Sequence, residues 1–388
     1  MSKFEKLIKE LCPNGVERKK IKEEYIRLRG TPITAGKMKE IENSNGDIKI
    51  FAGGKTVINA FEKDIPNANI TRVPAVLVQS RGVIDAVYYD KPFTFKNEMW
   101  AYTAENVVSV KYLYYVLKNN MDYFRSAASG MGSLPQISLG VTEDFQIPVP
   151  PIPVQEEIVR ILDSFTELTA ELTAELTARK KQYEYYVYQL LSFDNTVKTV
   201  ELRDLIDFKN GKGHEKDIVD YGKYIVINSK FISTNGKVKK YSNKQICPLY
   251  IGDILIVMSD LPNGRALAKC FLVTENNKYT LNQRIGALHV KDESVITTEF
   301  LLYVLNRNHQ LLRYDNGVDQ TNLRKDDILD IMIPVPTIEK QERIIAFLTR
   351  FDILCNDLSS SLPAEIEARK KQYEYYREKL LAFHEMSN

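Results

Sequence analysis

Apolar side chains recur at steps of three or four along a segment in the middle of the chain, which is the spacing of one face of a helix. The stripe consists of Ile158, Leu162, Phe165, Leu168, Leu172, Leu176, Tyr183, Tyr186, Leu190 and Phe193. It predicts a helix over about residues 155–193, about 57 Å long at 1.5 Å per residue. Such a helix cannot bury its stripe alone, so we expect an antiparallel coiled coil with a second helix.

The same pattern returns near the end of the chain. Ile-Pro-Val-Pro occurs at residues 147–150 and 333–336, and Ala-Arg-Lys-Lys-Gln-Tyr-Glu-Tyr-Tyr occurs at residues 178–186 and 368–376. The apolar positions Ile344, Leu348 and Phe351 match those of the first copy. In the second copy Ser361, Leu362 and Pro363 predict a helix break and a new helix start.

The two copies are similar in their helical tails and divergent in the bodies before them. The chain is therefore a duplicated unit, and we expect a first body over 1–151, a helix over 152–195, a second body over 196–337 and a second helix over 338–388. Repeated tails favour a common partner bound twice, or two tails bound to each other. Divergent bodies favour two different ligands.

Each body has strand-like runs, at residues 75–79, 83–89, 224–228, 254–258 and 269–273. Glycine and asparagine turns separate them, as at Gly53-Gly54 and Asn235-Gly236. Each body then ends in one amphipathic helix and a glycine-bearing loop. The pattern predicts an α+β fold, with two globular bodies joined by long helices.

Composition narrows the function classes. Of the 388 residues 44% are apolar and 27% are charged, with a net charge of +2, so a nucleic-acid surface must come from local patches. The scattered Cys12, Cys247, Cys270 and Cys355 predict free thiols in a reducing cytoplasm. The four dispersed histidines predict no zinc site. No apolar run is long enough to span a bilayer.

Catalytic motifs are missing from the sequence. There is no Asn-Pro-Pro-Tyr or Asp-Pro-Pro-Tyr motif for amino-group methylation. Residues 30–37 (GTPITAGK) imitate a phosphate loop, but the glycine spacing is wrong and Met38 replaces the magnesium-binding hydroxyl, so a turn before a strand is expected. Asp253 and Asp260 could imitate a nuclease cluster, yet strand-end aspartates are the simpler interpretation.

Two variable bodies, each followed by a constant helix, resemble the specificity subunits of type I restriction-modification systems, the HsdS family. The run at 147–163 and its counterpart at 333–348 resemble the family's exits from its two target-recognition domains. The tandem Thr-Ala-Glu-Leu units at 169–176 resemble the short repeats of some members, particularly of the C-type branch. The resemblance covers the whole chain and is most specific at these segments.

The resemblance implies a non-catalytic subunit that binds a bipartite DNA site and two methyltransferase subunits. Two restriction subunits complete such a complex. S-adenosylmethionine, ATP and magnesium would belong to those partners and none to this chain. Alternatives are the recognition subunit of another bipartite enzyme (type IIB-like), a silent or decoy copy, an enzyme with a degenerate motif, and a coiled-coil adaptor without DNA binding.

The four-residue repeats suggest that the length of the helix sets the distance between the two bodies. Each unit lengthens a helix by about 6 Å and rotates its stripe by about 40°, while DNA rises about 3.4 Å per base pair. One unit more or less should thus move two DNA-reading bodies by one or two base pairs. Replication slippage in a tolerant exposed helix is the alternative explanation.

Residues for DNA contact are chosen for their chemistry, since Arg and Lys suit guanine and phosphate, and Asn and Gln suit adenine. In the first body the candidates are Lys55, Gln79, Ser80, Arg81, Lys96, Ser133 and Gln136. In the second they are Asn228, Lys230, Ser259, Asn263, Arg265, Gln283, Arg284, Asp319, Gln320, Asn322 and Arg324. For packing or a methyltransferase interface they are the repeated Arg179, Lys180, Tyr183, Tyr186, Arg369, Lys370, Tyr373 and Tyr376.

Overall fold

The computed structural model of the chain describes residues 2–128, 134–262, 264, 266–356 and 361–385. The chain divides into two compact units. Unit 1 comprises residues 1–174 together with 364–388, and unit 2 comprises residues 175–363. Each unit contains one body and helical segments from the tails.

In its described residues, unit 1 has nine strands and six α-helices before the long tail helix. The strands are β1 (Arg18–Lys20), β2 (Ile26–Leu28), β3 (Ile48–Phe51), β4 (Val57–Ala60), β5 (Ala75–Gln79), β6 (Asp85–Tyr89), β7 (Phe93–Phe95), β8 (Trp100–Thr103) and β9 (Gln146–Pro148). The helices are α1 (Lys3–Leu11), α2 (Ile21–Glu24), α3 (Ala35–Ile41), α4 (Val107–Asn119), α5 (Met121–Ser126) and α6 (Leu139–Glu143).

The first tail is one 40-residue helix, α7 (Ile152–Leu191), which begins in unit 1 and ends in unit 2. The strands of unit 2 are β10 (Thr199–Glu201), β11 (Ile206–Asn210), β12 (Tyr224–Ile227), β13 (Tyr241–Ser242), β14 (Ile254–Val257), β15 (Ser259–Asp260), β16 (Cys270–Leu272), β17 (Tyr279–Leu281), β18 (Ile285–Val290), β19 (Thr321–Asn322) and β20 (Met332–Pro334). The other helices are α8 (Leu202–Leu205), α9 (Ser229–Ser233), α10 (Thr298–Leu305), α11 (His309–Leu312), α12 (Lys325–Leu329), α13 (Ile338–Asn356) and α14 (Leu362–Leu381). Most of α14 belongs to unit 1.

The two bodies have the same sheet topology although their sequences diverge. Unit 1 has a four-stranded sheet β2-β8-β5-β6, and unit 2 has β11-β18-β14-β16. A three-stranded sheet in each unit contains one parallel pair, β3 with β7 and β12 with β17. A two-stranded ribbon pairs the first and last strands of each body, β1 with β9 and β10 with β20. The predicted mixed α/β fold with an internal duplication is confirmed.

Each body packs its amphipathic helix and its sheet against a tail helix. In unit 1 the fully buried Tyr112 and Leu113 of α4 share a core with Ile158 and Leu162 of α7. In unit 2 Phe300 and Leu301 of α10 share a core with Ile344 and Leu348 of α13. The first residues of each helical stripe are therefore buried against the tail's own body.

The tail helices pair antiparallel inside each unit, as predicted. In unit 1 Phe165 of α7 stacks on Tyr376 of α14 with ring centroids 5.3 Å apart. In unit 2 the ring centroids of Tyr186 on α7 and Phe347 on α13 lie 5.1 Å apart. Lys340, earlier on α13, lies over the ring of Phe193, which follows α7, so the two helices run in opposite directions.

Helix starts refine the sequence prediction. α7 begins at Ile152, so Pro153 lies in its first turn, where the missing N–H costs no helical bond. The predicted start of a new helix is confirmed at Leu362, with Pro363 in the first turn of α14, while residues 357–360 lie outside the described residues. The expectation of a strand after residues 30–37 is wrong, because Thr34 accepts a hydrogen bond from the Lys37 amide and starts helix α3.

Within the described ranges, no helix is both long and apolar enough to cross a membrane. The same residues bring together no group of three or more His, Cys, Asp or Glu side chains that could hold a metal ion. Cys12, Cys247, Cys270 and Cys355 are free thiols.

Candidate nucleic-acid interface

In unit 1 the residues that follow β5 lie against the segment that precedes α6. The Ile137 amide donates to the Ser80 carbonyl at 3.0 Å. Arg81 and Gln136 then face each other as an isolated antiparallel bridge. Both residues are exposed, so two of the predicted DNA contacts lie side by side at this end of the central strand.

A second loop joins them through the carboxylate of Glu98. The Gly53 amide donates to Glu98 Oε1 at 3.0 Å, and Lys96 Nζ lies 2.9 Å from Oε2. The Gly54 amide donates to the Arg81 carbonyl at 3.1 Å. The hydrogen bond from Lys96, more than any other contact, holds the pKa of Glu98 below its ordinary value. Glu98 therefore stays ionised and ties the loop over residues 53–55 to the strand end.

Lys55 completes this group in unit 1. Its backbone has a φ of 71°, which places it at the tip of the turn after Gly54. Lys96 pairs with Glu98, and the charge of Arg81 also acts on this carboxylate. Gln136 faces Arg81, and Lys55 belongs to the loop that Glu98 holds, so the group offers three cations and one amide. This combination can contact phosphates and base edges in one place.

In unit 2 the equivalent place is built from two short strands. β15 pairs with β19, with Ser259 opposite Asn322. Gln320 Nε2 donates to Ser259 Oγ at 2.8 Å and to Asn322 Oδ1 at 3.2 Å. Gln320 and Asn322 are exposed, and so they present two amides of the kind that pairs with adenine.

The two places share one backbone frame. The Leu323 amide donates to the Met258 carbonyl at 2.7 Å, as the Ile137 amide does to Ser80 in unit 1. Asn322 therefore occupies the position of Gln136, and Ser259 that of Arg81. We call each pair of facing segments a reading loop pair: residues 80–84 with 134–137 in unit 1, and 258–269 with 318–323 in unit 2.

The longer loop of unit 2 is organised by Asp260. Its carboxylate accepts backbone N–H groups from Leu261 at 2.9 Å, Ala266 at 2.7 Å and Leu267 at 3.1 Å. Asp260 is therefore a structural residue whose acceptor positions are already used. The sequence interpretation of Asp260 as a strand-end aspartate, and not as part of a nuclease cluster, agrees with this geometry.

Arg307, just after α10, supports the same loop from the other side. Its Nη1 donates to the carbonyls of Gly264 and Leu267, both at 3.3 Å. Gly264 must remain glycine, because a Cβ there would overlap the Asp260 carboxylate. Sequence reasoning missed Asp260 and Arg307 as loop organisers, since their partners are backbone groups. Only the glycine four residues after Asp260 could have suggested a tight loop.

Some predicted contacts serve the interior. Gln79 is 4% exposed and Ser80 is 1% exposed, and the Ser80 hydroxyl donates to the Glu98 carbonyl. Asn228 caps α9 by accepting the Phe231 amide at 2.9 Å. Ser259 is also buried, at 6% exposed. We therefore leave these four out of the proposed DNA surface.

The remaining candidates surround the loop pair of unit 2 or fall outside the described residues. Gln283 donates to Glu215 at 3.1 Å, and the Arg284 carbonyl accepts the Met258 amide at 3.0 Å. Asp319 belongs to the loop pair and is exposed, as are Lys230 and Arg324 outside it. Outside the described residues lie Ser133, Asn263 and Arg265.

Comparison with known proteins decides the family. Residues 19–179 and 194–368 each match the type I restriction modification DNA specificity domain. The chain belongs to the type I specificity subunits. A specificity subunit is the DNA-recognition component of its system and is not an enzyme.

Two relatives that are themselves named specificity subunits match this chain over most of their length. It is 30% identical to the EcoR124I/EcoR124II specificity subunit of Escherichia coli over 361 residues, which covers 87% of each chain. It is also 30% identical over 311 residues to a putative type I specificity subunit of Haemophilus influenzae, which covers 75% of this chain and 77% of that one.

Solved structures agree in fold. The S subunit from M. genitalium gives a TM-score of 0.59 at 16% identity, covering 94% of this chain and 96% of that one. A chain from a structural study of type I complex assembly gives 0.56 at 13% identity, covering 95% and 98%.

Of the tail residues predicted for packing or for a methyltransferase interface, some are packed between helices and others lie at the surface. Burial raises the pKa of Tyr183 and of Tyr373, which lie inside the helix pairs of their units. Tyr186 and Tyr376 pack against the phenylalanines already described. Arg179 pairs with Glu175, and Arg369 with Glu365.

Several members of the repeated motif are exposed, and they include predicted residues: Tyr376 is 39% exposed although its ring stacks on Phe165. Lys180 and Lys370 are exposed, as are Tyr185 and Tyr375, which are 59% and 58% exposed. The repeat in the sequence assigns Tyr183, Tyr185 and Tyr186 alike to packing or to a methyltransferase interface. Periodicity alone does not tell which of these tyrosines faces a partner helix, and in the structure Tyr185 and its counterpart Tyr375 are the most exposed of the repeated tyrosines.

Proposed function

We propose that this specificity subunit recognises a bipartite DNA site, with one half-site read by the loop pair of unit 1 and the other by that of unit 2. One observation carries the proposal. The two units repeat the same backbone frame at the end of the central strand, yet one exposes Arg81 and Gln136 there and the other exposes Gln320 and Asn322. A shared frame with different donors and acceptors suits two different short sequences.

The distance between half-sites would be set by α7. The Thr-Ala-Glu-Leu units lie within this helix, and the boundary between the two units of the chain falls among them, after Ala174. Thr169 and Thr173 each donate their hydroxyl to the carbonyl four residues earlier, both at 2.7 Å. The repeats are therefore regular helix, and a change in their number changes helix length.

Two methyltransferase subunits would dock on the repeated tails, and two restriction subunits would complete the complex. The exposed Lys180, Tyr185, Lys370 and Tyr375 give each tail one copy of the same surface, which suits a partner bound twice. S-adenosylmethionine, ATP and magnesium would be bound by those partners. Because the substrate is chromosomal DNA, we expect the complex in the cytoplasm.

The test is a genome-wide map of N6-methyladenine in cells that express the chain with its methyltransferase partner. A second strain carries a deletion of residues 173–176. We expect a two-part motif whose spacer shortens by about one or two base pairs in the deletion, because the helix loses about 6 Å.

The matched control is Thr173→Ala, which removes the hydroxyl and keeps the length. It should leave the spacer unchanged. A complex that forms but methylates no two-part motif would contradict the proposed function, and an unchanged spacer in the deletion would contradict the role of α7.

A further inference from the structure

The junction between body and tail helix is built identically in the two units. In unit 1, after β9, the Val149 amide donates to the Glu17 carbonyl at 2.9 Å. In unit 2, after β20, the Val335 amide donates to the Lys198 carbonyl at 2.8 Å. The chain then leaves the ribbon through prolines and enters α7 or α13 within a few residues.

One buried glutamine bridges each junction. Gln155 Nε2 donates to the Pro150 carbonyl at 2.7 Å, and Gln341 Nε2 donates to the Pro336 carbonyl at 2.9 Å. The two side chains belong to residues that are 2% and 0% exposed. In both copies the glutamine comes five residues after the proline that it contacts.

The chemistry explains why an amide is needed there. Proline has no N–H, so a lead-in rich in proline offers few backbone donors to its own carbonyls. A buried carbonyl without a donor is costly. The glutamine, in the first turn of the helix, supplies the donor and at the same time couples the orientation of the helix to the exit of the body.

Gln341 holds a further element that Gln155 does not. Its Nε2 also donates to the Val295 carbonyl at 3.0 Å, and its Oε1 accepts the Thr297 amide at 2.9 Å. Thr297 is the N-cap of α10. In unit 1 the Gln155 Oε1 is buried and has no hydrogen-bond partner among the described residues. Gln341 thus connects the exit from its ribbon with the tail helix α13 and the amphipathic helix α10. Gln155 connects only the exit from its ribbon with the tail helix α7.

We propose that Gln155 and Gln341 are positioning residues for spacer length, which hold each body at a fixed angle on its tail helix. The inference rests on the proposed function, because it concerns the distance between two half-sites. Neither residue would touch DNA. Loss of either bond should let a body tilt on its helix, so that DNA with a spacer one base pair too long or too short becomes acceptable while each half-site sequence stays the same.

The experiment compares methylation maps of the wild-type chain, Gln155→Met and Gln341→Met, each co-expressed with the methyltransferase partner. Methionine keeps length and volume and removes the amide. The control is Gln189→Met, an exposed glutamine of the same helix α7. The readout is the ratio of methylated sites with a wrong spacer length to sites with the correct one. We expect Gln155→Met to raise this ratio by about three- to ten-fold, because that is the change in an equilibrium constant that the net free energy of one hydrogen bond produces.

The outcomes separate the two ideas. A purely structural role would lower methylation at all spacer lengths and leave the ratio unchanged, and that result overturns the inference while the two-part motif persists. A wild-type map without a two-part motif overturns the proposed function and this inference with it. If Gln341→Met fails to fold, Gln155→Met decides, because it loses a single hydrogen bond and removes an acceptor that has no partner.

Discussion

After β5 the chain of unit 1 turns back to β6 within residues 80–84, whereas after β14 unit 2 uses residues 258–269 to reach β16. The short loop is held from outside by the loop over residues 53–55, whose Gly54 amide donates to the Arg81 carbonyl and which is itself fixed by the Glu98–Lys96 pair. The long loop is held from within by Asp260, whose partners are backbone N–H groups of the loop itself. The same frame is thus stabilised by an ion pair in one unit and by an internal carboxylate in the other.

The difference shows which part of a reading loop pair can vary. The frame consists of backbone hydrogen bonds, from Ile137 to Ser80 and from Leu323 to Met258, so it survives sequence change. The anchors are side chains and differ with loop length. A body can therefore present a new loop without rebuilding its sheet.

The largest expected effect comes from Asp260→Ala. It leaves the amides of Ala266 and Leu267, which are buried residues, without their acceptor. We expect a loss of about 3 kcal/mol of local stability in unit 2. Hydrogen exchange should become faster in peptides from β14 and β18 and stay unchanged in β5 and β8.

Its control is Asp319→Ala, which removes an exposed carboxylate near the same loop pair. Equal acceleration in both units, or none in unit 2, would contradict the assignment of Asp260 as the internal anchor.

A second contrast lies where the bodies meet their tails. Glu157 of α7 is buried and lies 2.6 Å from Arg160 and 2.9 Å from Lys3, whereas unit 2 has Arg343 at the matching position of the repeat. Arg160, the largest influence, helps to lower the pKa of Glu157 from 4.5 to about 2. Because the folded pKa is depressed, this stabilisation is complete above about pH 4.5 and disappears as the pH falls towards 2.

Glu157→Gln should therefore cost about 2 kcal/mol at pH 7 and progressively less in acid. The measurement is the free energy of unfolding of wild type and variant between pH 7 and pH 3. The exposed Glu156→Gln on the same turn should show little difference at any pH. A cost for Glu157→Gln that does not shrink below pH 4.5 would argue against the ion pair as its cause.

The smallest effect is expected for Glu98→Gln. The amide oxygen can still accept from Gly53, so only the partly exposed pair with Lys96 is lost. We expect about 0.5–1 kcal/mol, visible as slightly faster hydrogen exchange around β5 and β8. Asp90→Asn, an exposed acidic residue of the same unit, is the control. If Glu98→Gln cost more than Asp260→Ala, the order of the two anchors would be reversed.

Sequence patterns predicted the tails better than the bodies. Helical spacing located α7, and Leu362 with Pro363 located the start of α14, because proline and the apolar stripe act locally. The strand β5 was predicted at its observed bounds from a continuous apolar run. The matching sheet topology of the two bodies was not visible, since strand order depends on contacts between distant segments whose sequences differ.

The candidate DNA residues show the same limit of sequence reasoning. Residue type correctly suggested polar groups near strand ends, and the structure brings Arg81 beside Gln136 and Gln320 beside Asn322. Residue type could not tell that Gln79 is buried, because all five residues of β5 are buried and the strand has no solvent-facing side for a polar residue to mark. Whether the proposed residues contact bases stays a prediction.

The threonines of α7 have a consequence for how such a chain can change over generations. Each Thr-Ala-Glu-Leu unit brings its own hydroxyl–carbonyl bond, as Thr169 and Thr173 do, and its own leucine for the half-buried stripe. Gaining or losing a unit by slippage therefore keeps these local contacts of the helix, while it turns the stripe by about 40°. Length becomes a heritable property with discrete values, which selection can adjust separately from the residues that contact DNA.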